Sequence, residues 1–139
     1  AQAVDWIPES LFQILTAAYR HRGFSFVRIL QRCPEFVGNM FEPWVHDPQR
    51  MLMLTHADGI RVSPALQKIY RNQLPHDPAD INRAREIASS DDPIPVGILY
   101  RNPEVPCYED LRGAGKLRTA DQVRGALDGE LDKFTVWPQ

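Results

Sequence analysis

The stretch that most constrains the fold is residues 9–31, where a helical pattern runs into a glycine and then into a strand pattern. Leu11, Ile14, Leu15 and Ala18 recur at helical spacing, which predicts a helix over 9–22 with one apolar side. Pro8 suits its first turn and Glu9 its positive N-terminal end, while Arg20, His21 and Arg22 suit the negative C-terminal end. Gly23 is a natural stop. In FSFVRILQ at 24–31, Phe24, Phe26 and Leu30 alternate with Val27 and Ile29. Both sides are apolar, so the pattern predicts a central strand covered on both faces. A helix, a glycine turn and a buried strand make half of a βαβ unit. The missing first strand should lie just before the helix, and AQAVDW at 1–6 reads as its tail. The sequence is therefore expected to start inside a structural element.

The remaining elements are shorter. Twelve prolines, most of them between 34 and 106, predict an irregular, extended middle. MLMLTHADGIRVSP at 51–64 reads as a short hairpin turning at Asp58-Gly59. ALQKIYRN at 65–72 offers one or two helical turns. Asp77 as cap and Pro78 at the first position predict a helix carrying Ile81, Ala84, Ile87 and Ala88. IPVGILY at 94–100 predicts a second buried strand, and RNPEVP after it must be extended or turning. Thr119 to Gln122 is a capping box that opens a helix over 120–132 with Val123, Ala126, Leu127 and Leu131 on one side. Gly125 and Gly129 weaken that helix, so it should depend on packing against a neighbour. The expectation is one α/β domain over 1–139: a sheet and helix unit at 1–33, an irregular extension at 34–93, and a strand plus C-terminal helix at 94–139.

Bulk properties exclude several classes. Sixteen basic and 18 acidic side chains give a net charge of −2, and no basic block stands out, so neither nucleic acid nor an anionic membrane is expected as partner. No apolar run reaches the roughly 20 residues of a membrane span. No basic region followed by an apolar one opens the sequence, so no secretory leader is expected. Two cysteines, Cys33 and Cys107, are too few for a disulfide scaffold, and a reducing, cytoplasmic setting follows as the expectation.

Few residues offer chemistry. His21, His46, His56 and His76 lack the spacing of a local zinc site and read as solvated loop residues, with His21 placed to serve a helix end. Asp91-Asp92 and Glu109-Asp110 read as turn and capping residues. GAGK at 113–116 lacks both the strand before and the Ser/Thr after that a phosphate loop requires. Cys33 has Arg28 and Arg32 nearby but no histidine–carboxylate relay that would mark a thiol hydrolase. On spacing alone Cys33 reads as a buried, inert thiol at a strand end in preference to a functional one.

The long motif RHRGFSFVRILQRCPEF at 20–36 resembles the beta subunits of 2-oxoacid:ferredoxin oxidoreductases, most closely those of the 2-oxoglutarate branch. AVDWIP at 3–8 and GILYRNPEVPCYE at 97–109 share the resemblance. It implies the C-terminal part of a thiamine diphosphate-binding-type parallel sheet domain. It also implies an enzyme that decarboxylates a 2-oxoacid with thiamine diphosphate and magnesium. The acyl group is captured on coenzyme A, and electrons pass through a [4Fe–4S] cluster to ferredoxin. Cys33 matches the position of the cluster's fourth cysteine, so the resemblance makes it a metal and cofactor ligand whose fellow ligands lie outside this chain. The implied partners are the N-terminal half of the beta subunit, an alpha subunit and ferredoxin.

The chain departs from the family's pattern in lacking the N-terminal cysteines and the GDGD-type segment that holds magnesium and diphosphate. No catalytic residue is therefore expected on it, no thiamine diphosphate should bind to it alone, and it should not turn over substrate by itself. The resemblance assigns Cys107 no cluster role, and Arg28 and Arg32 serve equally well as cations near the cluster or ferredoxin and as ordinary surface charges. The competing readings are a non-catalytic packing module for subunit association and a free-standing thiol enzyme. The choice of 2-oxoacid, the electron acceptor and the oligomeric state are left open.

Overall fold

Strands β1 (Gln2–Val4) and β2 (Arg28–Leu30) run parallel, with Gln2, Ala3 and Val4 beside Arg28, Ile29 and Leu30, and helix α1 (Pro8–Arg20) makes the crossover between them. This is the βαβ unit that the sequence predicts. The computed structural model describes residues 1–57, 60–113 and 119–134. They fall into two units, Ala1–Val105 and Pro106–Gln139.

In the first unit, short helix α2 (Glu42–Val45) and a 3-10 turn (Pro48–Arg50) lead into β3 (Met51–Thr55). Helix α3 (Pro64–Ile69), β4 (Gln73–Pro75), helix α4 (Ile81–Ala88) and β5 (Ile94–Val96) follow. The second sheet has the order β4-β3-β5 and is parallel throughout. Met51, Met53 and Leu54 of β3 are buried, as a central parallel strand requires. The hairpin expected over 51–64 is thus corrected: its first arm pairs with β4 and β5 in parallel, and its turn at Asp58-Gly59 lies outside the described residues.

The two sheets meet at one point. The Gln2 amide donates to the Gly97 carbonyl (3.0 Å) and the Gly97 amide to the Gln2 carbonyl (2.9 Å), an isolated antiparallel bridge. Gly97 adopts φ +144°, and a Cβ there would lie 2.7 Å from Leu54 Cβ. Only glycine fits both the backbone angle and the close approach to β3. Around this seam Ala3, Val4, Ile7, Ile14, Met51, Met53, Val96 and Ile98 form the core.

Two further expectations need correction. Ordered strand pairing within 24–31 covers Arg28–Leu30 alone, and its free side is an exposed edge rather than a covered centre. A two-sided apolar pattern demands cover but does not say which element provides it. The helix expected to open at Asp77-Pro78 begins at Ile81: Asp80 accepts from the amides of Asn82 and Arg83, both at 3.0 Å. Asp77 instead accepts from the Ala79 amide (2.9 Å) in a local turn.

The second unit contains α5 (Tyr108–Leu111) and α6 (Ala120–Asp132). Thr119 and Gln122 form the expected reciprocal capping box. Val123, Leu127 and Leu131 make an exposed stripe along α6. GAGK at 113–116 falls largely outside the described residues.

Gly97→Ala is expected to destabilise the chain by about 2–4 kcal/mol, from backbone strain plus the contact with Leu54. Gly129→Ala, which meets nothing within 4 Å, is expected to cost nothing or to stabilise α6. Urea unfolding of the two variants checks the contrast.

Candidate functional site at the carboxyl end of the first sheet

Parallel strands place their carboxyl ends on one side, and residues that follow them there are the usual source of binding groups in open α/β sheets. After β1 come Asp5 and Trp6, and after β2 come Gln31, Arg32 and Cys33. The Asp5 amide donates to the Leu30 carbonyl (3.1 Å), which extends the ladder past β1. Arg32 is held twice by Asp5: its amide donates to Oδ2 (3.3 Å) and its Nε to Oδ1 (3.1 Å). Its guanidinium lies 5.9 Å from the centre of the Trp6 ring. Trp6 packs on Phe41 (5.6 Å), and Phe41 on Trp44 (6.3 Å).

Cys33 is a free, half-buried thiol. Its amide donates to the Gln31 carbonyl (3.1 Å), and its own carbonyl accepts from the Val37 amide (2.9 Å). The cysteine is thus pinned between the end of a strand and the start of a run of turns. Pro34 restricts it further toward extended backbone. Among the described residues no group of three or more His, Cys, Asp or Glu side chains converges as a metal site. Cys33 can therefore supply one thiolate to a cofactor, and the other ligands would have to come from elsewhere. Trp6 Nε1 is buried without a hydrogen-bond partner at the same end of the sheet, an N–H donor of the kind that thiolates accept from.

The two arginines already have structural work. Arg28 Nε donates to Gln2 Oε1, and Gln2 Nε2 donates to the Pro95 carbonyl (2.8 Å). Gln2, only 2% exposed, thus ties β1, β2 and β5 together. Arg32 is committed to Asp5 and Trp6.

Sequence reasoning misread two histidines. His56 and His76 are buried, not solvated. Each directly follows a parallel strand, β3 or β4. His56 Nδ1 donates to the His76 carbonyl (2.7 Å), and His76 Nε2 donates to the Leu99 carbonyl (2.6 Å). The pair stitches together the carboxyl ends of β3 and β4 and the chain after β5. No local signal marked them, because their burial follows from which strands pair in parallel. His21 does cap α1, as expected. Cys107, in the second unit, is buried and its Sγ donates to Asp110 Oδ2 (3.0 Å), which fits a packed thiol.

A groove of about 590 Å³ opens on the α1 side, lined in part by Phe12, Thr16, Arg20, Arg22, Ile98 and Arg101. Cys33 does not line it.

Asp92 is a structural group. It accepts from Arg50 Nη2 (2.7 Å) and from Trp44 Nε1 (3.2 Å), and the Arg50 guanidinium lies 4.6 Å from the Trp44 ring centre. The hydrogen bond from Arg50 holds the Asp92 carboxyl below its usual range.

The fold is a parallel α/β chain with a thiol at a sheet end, and no solved structure matches it. Residues 65–115 match the family model for the C-terminal region of the pyruvate ferredoxin oxidoreductase beta subunit. The chain is also 26% identical over 110 residues to "2-oxoacid:ferredoxin oxidoreductase 2, subunit beta" of Aeropyrum pernix. That alignment covers 79% of this chain and 33% of the relative, so the chain spans about a third of the relative's length. Both matches agree with the resemblance carried by the sequence motifs: the chain is similar to the C-terminal part of a 2-oxoacid:ferredoxin oxidoreductase beta subunit.

A carboxylate whose folded pKa is depressed contributes stability above its unfolded value, and that contribution is lost as pH falls through the folded value. The stability difference between the wild type and Asp92→Asn is therefore expected to be constant near neutrality and to shrink below about pH 4. Arg50, raised by the same hydrogen bond, stays charged throughout. Urea unfolding across pH 3–7 checks this.

Proposed function

We propose that this chain is the C-terminal part of the beta subunit of a 2-oxoacid:ferredoxin oxidoreductase, acting on 2-oxoglutarate. The complete enzyme would oxidise a 2-oxoacid to carbon dioxide and an acyl-coenzyme A, passing two electrons to two ferredoxin molecules. The observation that carries the reading is the placement of Cys33: a free, half-buried thiol at the carboxyl end of a parallel strand pair, within a motif similar to that family's. On this reading Cys33 provides one thiolate of a [4Fe–4S] cluster, and the remaining thiolates come from chain outside these residues. The cluster, when bound, carries electrons one at a time.

This chain's own part is positional. The Gln31 and Val37 hydrogen bonds and Pro34 hold the Cys33 backbone, while Asp5 fixes Arg32 beside it. A preset backbone lowers the entropy lost when a thiolate is captured. Thiamine diphosphate and magnesium are assigned to the rest of the enzyme, because no residue run here resembles their binding segment. A second reading, a packing module for subunit association, draws on the exposed Val123 and Leu127 of α6. The two readings are compatible in one subunit.

In the complete beta subunit, Cys33→Ser is expected to lower iron content and alter the paramagnetic resonance spectrum of the reduced enzyme, since an alcohol is a poor ligand for iron. Thiamine diphosphate binding should survive, and Cys107→Ser should leave the cluster intact. Full iron content and an unchanged spectrum in Cys33→Ser would return Cys33 to a packing role. Titration calorimetry of this chain alone with thiamine diphosphate and magnesium is expected to show no saturable binding.

A further inference from the structure

Trp6 and Trp44 belong to one aromatic stack, each packed on Phe41, yet their indole N–H groups fare differently. Trp44 Nε1 donates to Asp92 Oδ1 (3.2 Å). Trp6 Nε1 is buried and has no hydrogen-bond partner. A buried N–H has given up its bond to water, so an unpaired one points to an acceptor that these residues do not contain. Asp5, the neighbour of Trp6 in sequence, is not that acceptor: its carboxylate takes the amide and the Nε of Arg32. The ring is held in place. Phe41 lies 5.6 Å from it, the Arg32 guanidinium lies 5.9 Å from its centre, and the next residue, Ile7, is buried at the start of α1.

Cys33 stands at the same sheet end. Continuing the register of Val4 beside Leu30 puts Trp6 level with Arg32, one residue from Cys33 on the neighbouring strand. The backbone donors around that cysteine are already used. The Arg32 amide goes to Asp5, the Cys33 amide to the Gln31 carbonyl and the Val37 amide to the Cys33 carbonyl, while Pro34 has no amide. A thiolate at Cys33 thus lacks these neighbouring amides as donors, and the Trp6 indole, which can only donate, lacks an acceptor. The two deficits are complementary. Cluster sulfurs accept hydrogen bonds, and N–H groups that donate to them shift the reduction potential. We propose that Trp6 Nε1–H donates a hydrogen bond to a sulfur of the cluster that Cys33 ligates, and that this bond raises the cluster's reduction potential by favouring its more negatively charged, reduced state. This rests on the beta-subunit reading above. Phe41 and Arg32 then serve to hold the donor in place.

Trp6→Phe removes the N–H and keeps an aromatic ring. The test uses the complete beta subunit, grown with heavy nitrogen at the indole position of its tryptophans. Pulsed paramagnetic resonance of the reduced wild type is expected to show coupling between the cluster and an indole nitrogen. Trp44→Phe should keep that coupling and Trp6→Phe should lose it. In a redox titration Trp6→Phe is expected to hold the wild-type iron content and to titrate at a lower potential. Trp44→Phe, whose N–H serves Asp92, should titrate like the wild type. A wild type without the coupling, a coupling that persists in Trp6→Phe, or a Trp6→Phe potential equal to that of the wild type would overturn the proposal and leave the beta-subunit reading standing, since the cluster is still present. If Trp6→Phe assembles no cluster, the coupling in the wild type, lost or kept in Trp44→Phe, decides between the two indoles. A complete subunit without a cluster, or one whose cluster is unchanged in Cys33→Ser, would overturn both.

Discussion

The fold of the first unit depends on the contact between Gln2 and Gly97. The β1–β2 pair and the β4-β3-β5 sheet share no regular ladder. What joins them is the two-bond antiparallel bridge at these residues, reinforced by the Gln2 side chain reaching both Arg28 and the Pro95 carbonyl. A buried amide with both ends satisfied is stable, whereas a half-satisfied one is costly, so Gln2 fixes one alignment of the sheets. Gly97 makes the approach possible by bringing backbone within contact of Leu54, where no side chain fits. Through this seam the Cys33-bearing strands are anchored to the larger sheet.

Much of the helical structure was legible in the residues because its determinants are local. Pro8, Glu9 and the Arg20–Arg22 cluster bracketed α1, and Thr119 with Gln122 opened α6 where expected. The start of α4 was misplaced because Asp77 and Asp80 are both good caps, and only the folded chain shows that Asp80 takes that role. Parallel pairing leaves no short-range mark, since partners are joined by long crossovers. The place of Met51–Thr55 between β4 and β5 was therefore hidden, and a turn dipeptide nearby suggested a hairpin instead.

The site shows the same division. Cys33 stood out because Pro34 and the apolar strand before it were adjacent in sequence. Asp5 and Trp6, which hold Arg32 beside it, are more than 25 residues away in sequence and come to this sheet end only through β1–β2 pairing. The burial of His56 and His76 was equally invisible, because it follows from strand order. The exposure of β2 contradicts its reading as a central strand covered on both faces, because an apolar pattern marks residues able to pack but does not say that this chain supplies the element to cover them.

These features combine in one physical account, in which a short sheet, locked by Gln2 and Gly97, presents a pinned thiol at its carboxyl end and an exposed edge beside it. The most direct test is the location of iron in crystals of the complete beta subunit, mapped by anomalous scattering at the iron absorption edge. The account predicts an iron peak bonded to Cys33 Sγ at the carboxyl end of β1 and β2. A cluster fully ligated by other thiolates, with the Cys33 thiol free and packed against protein, would contradict it.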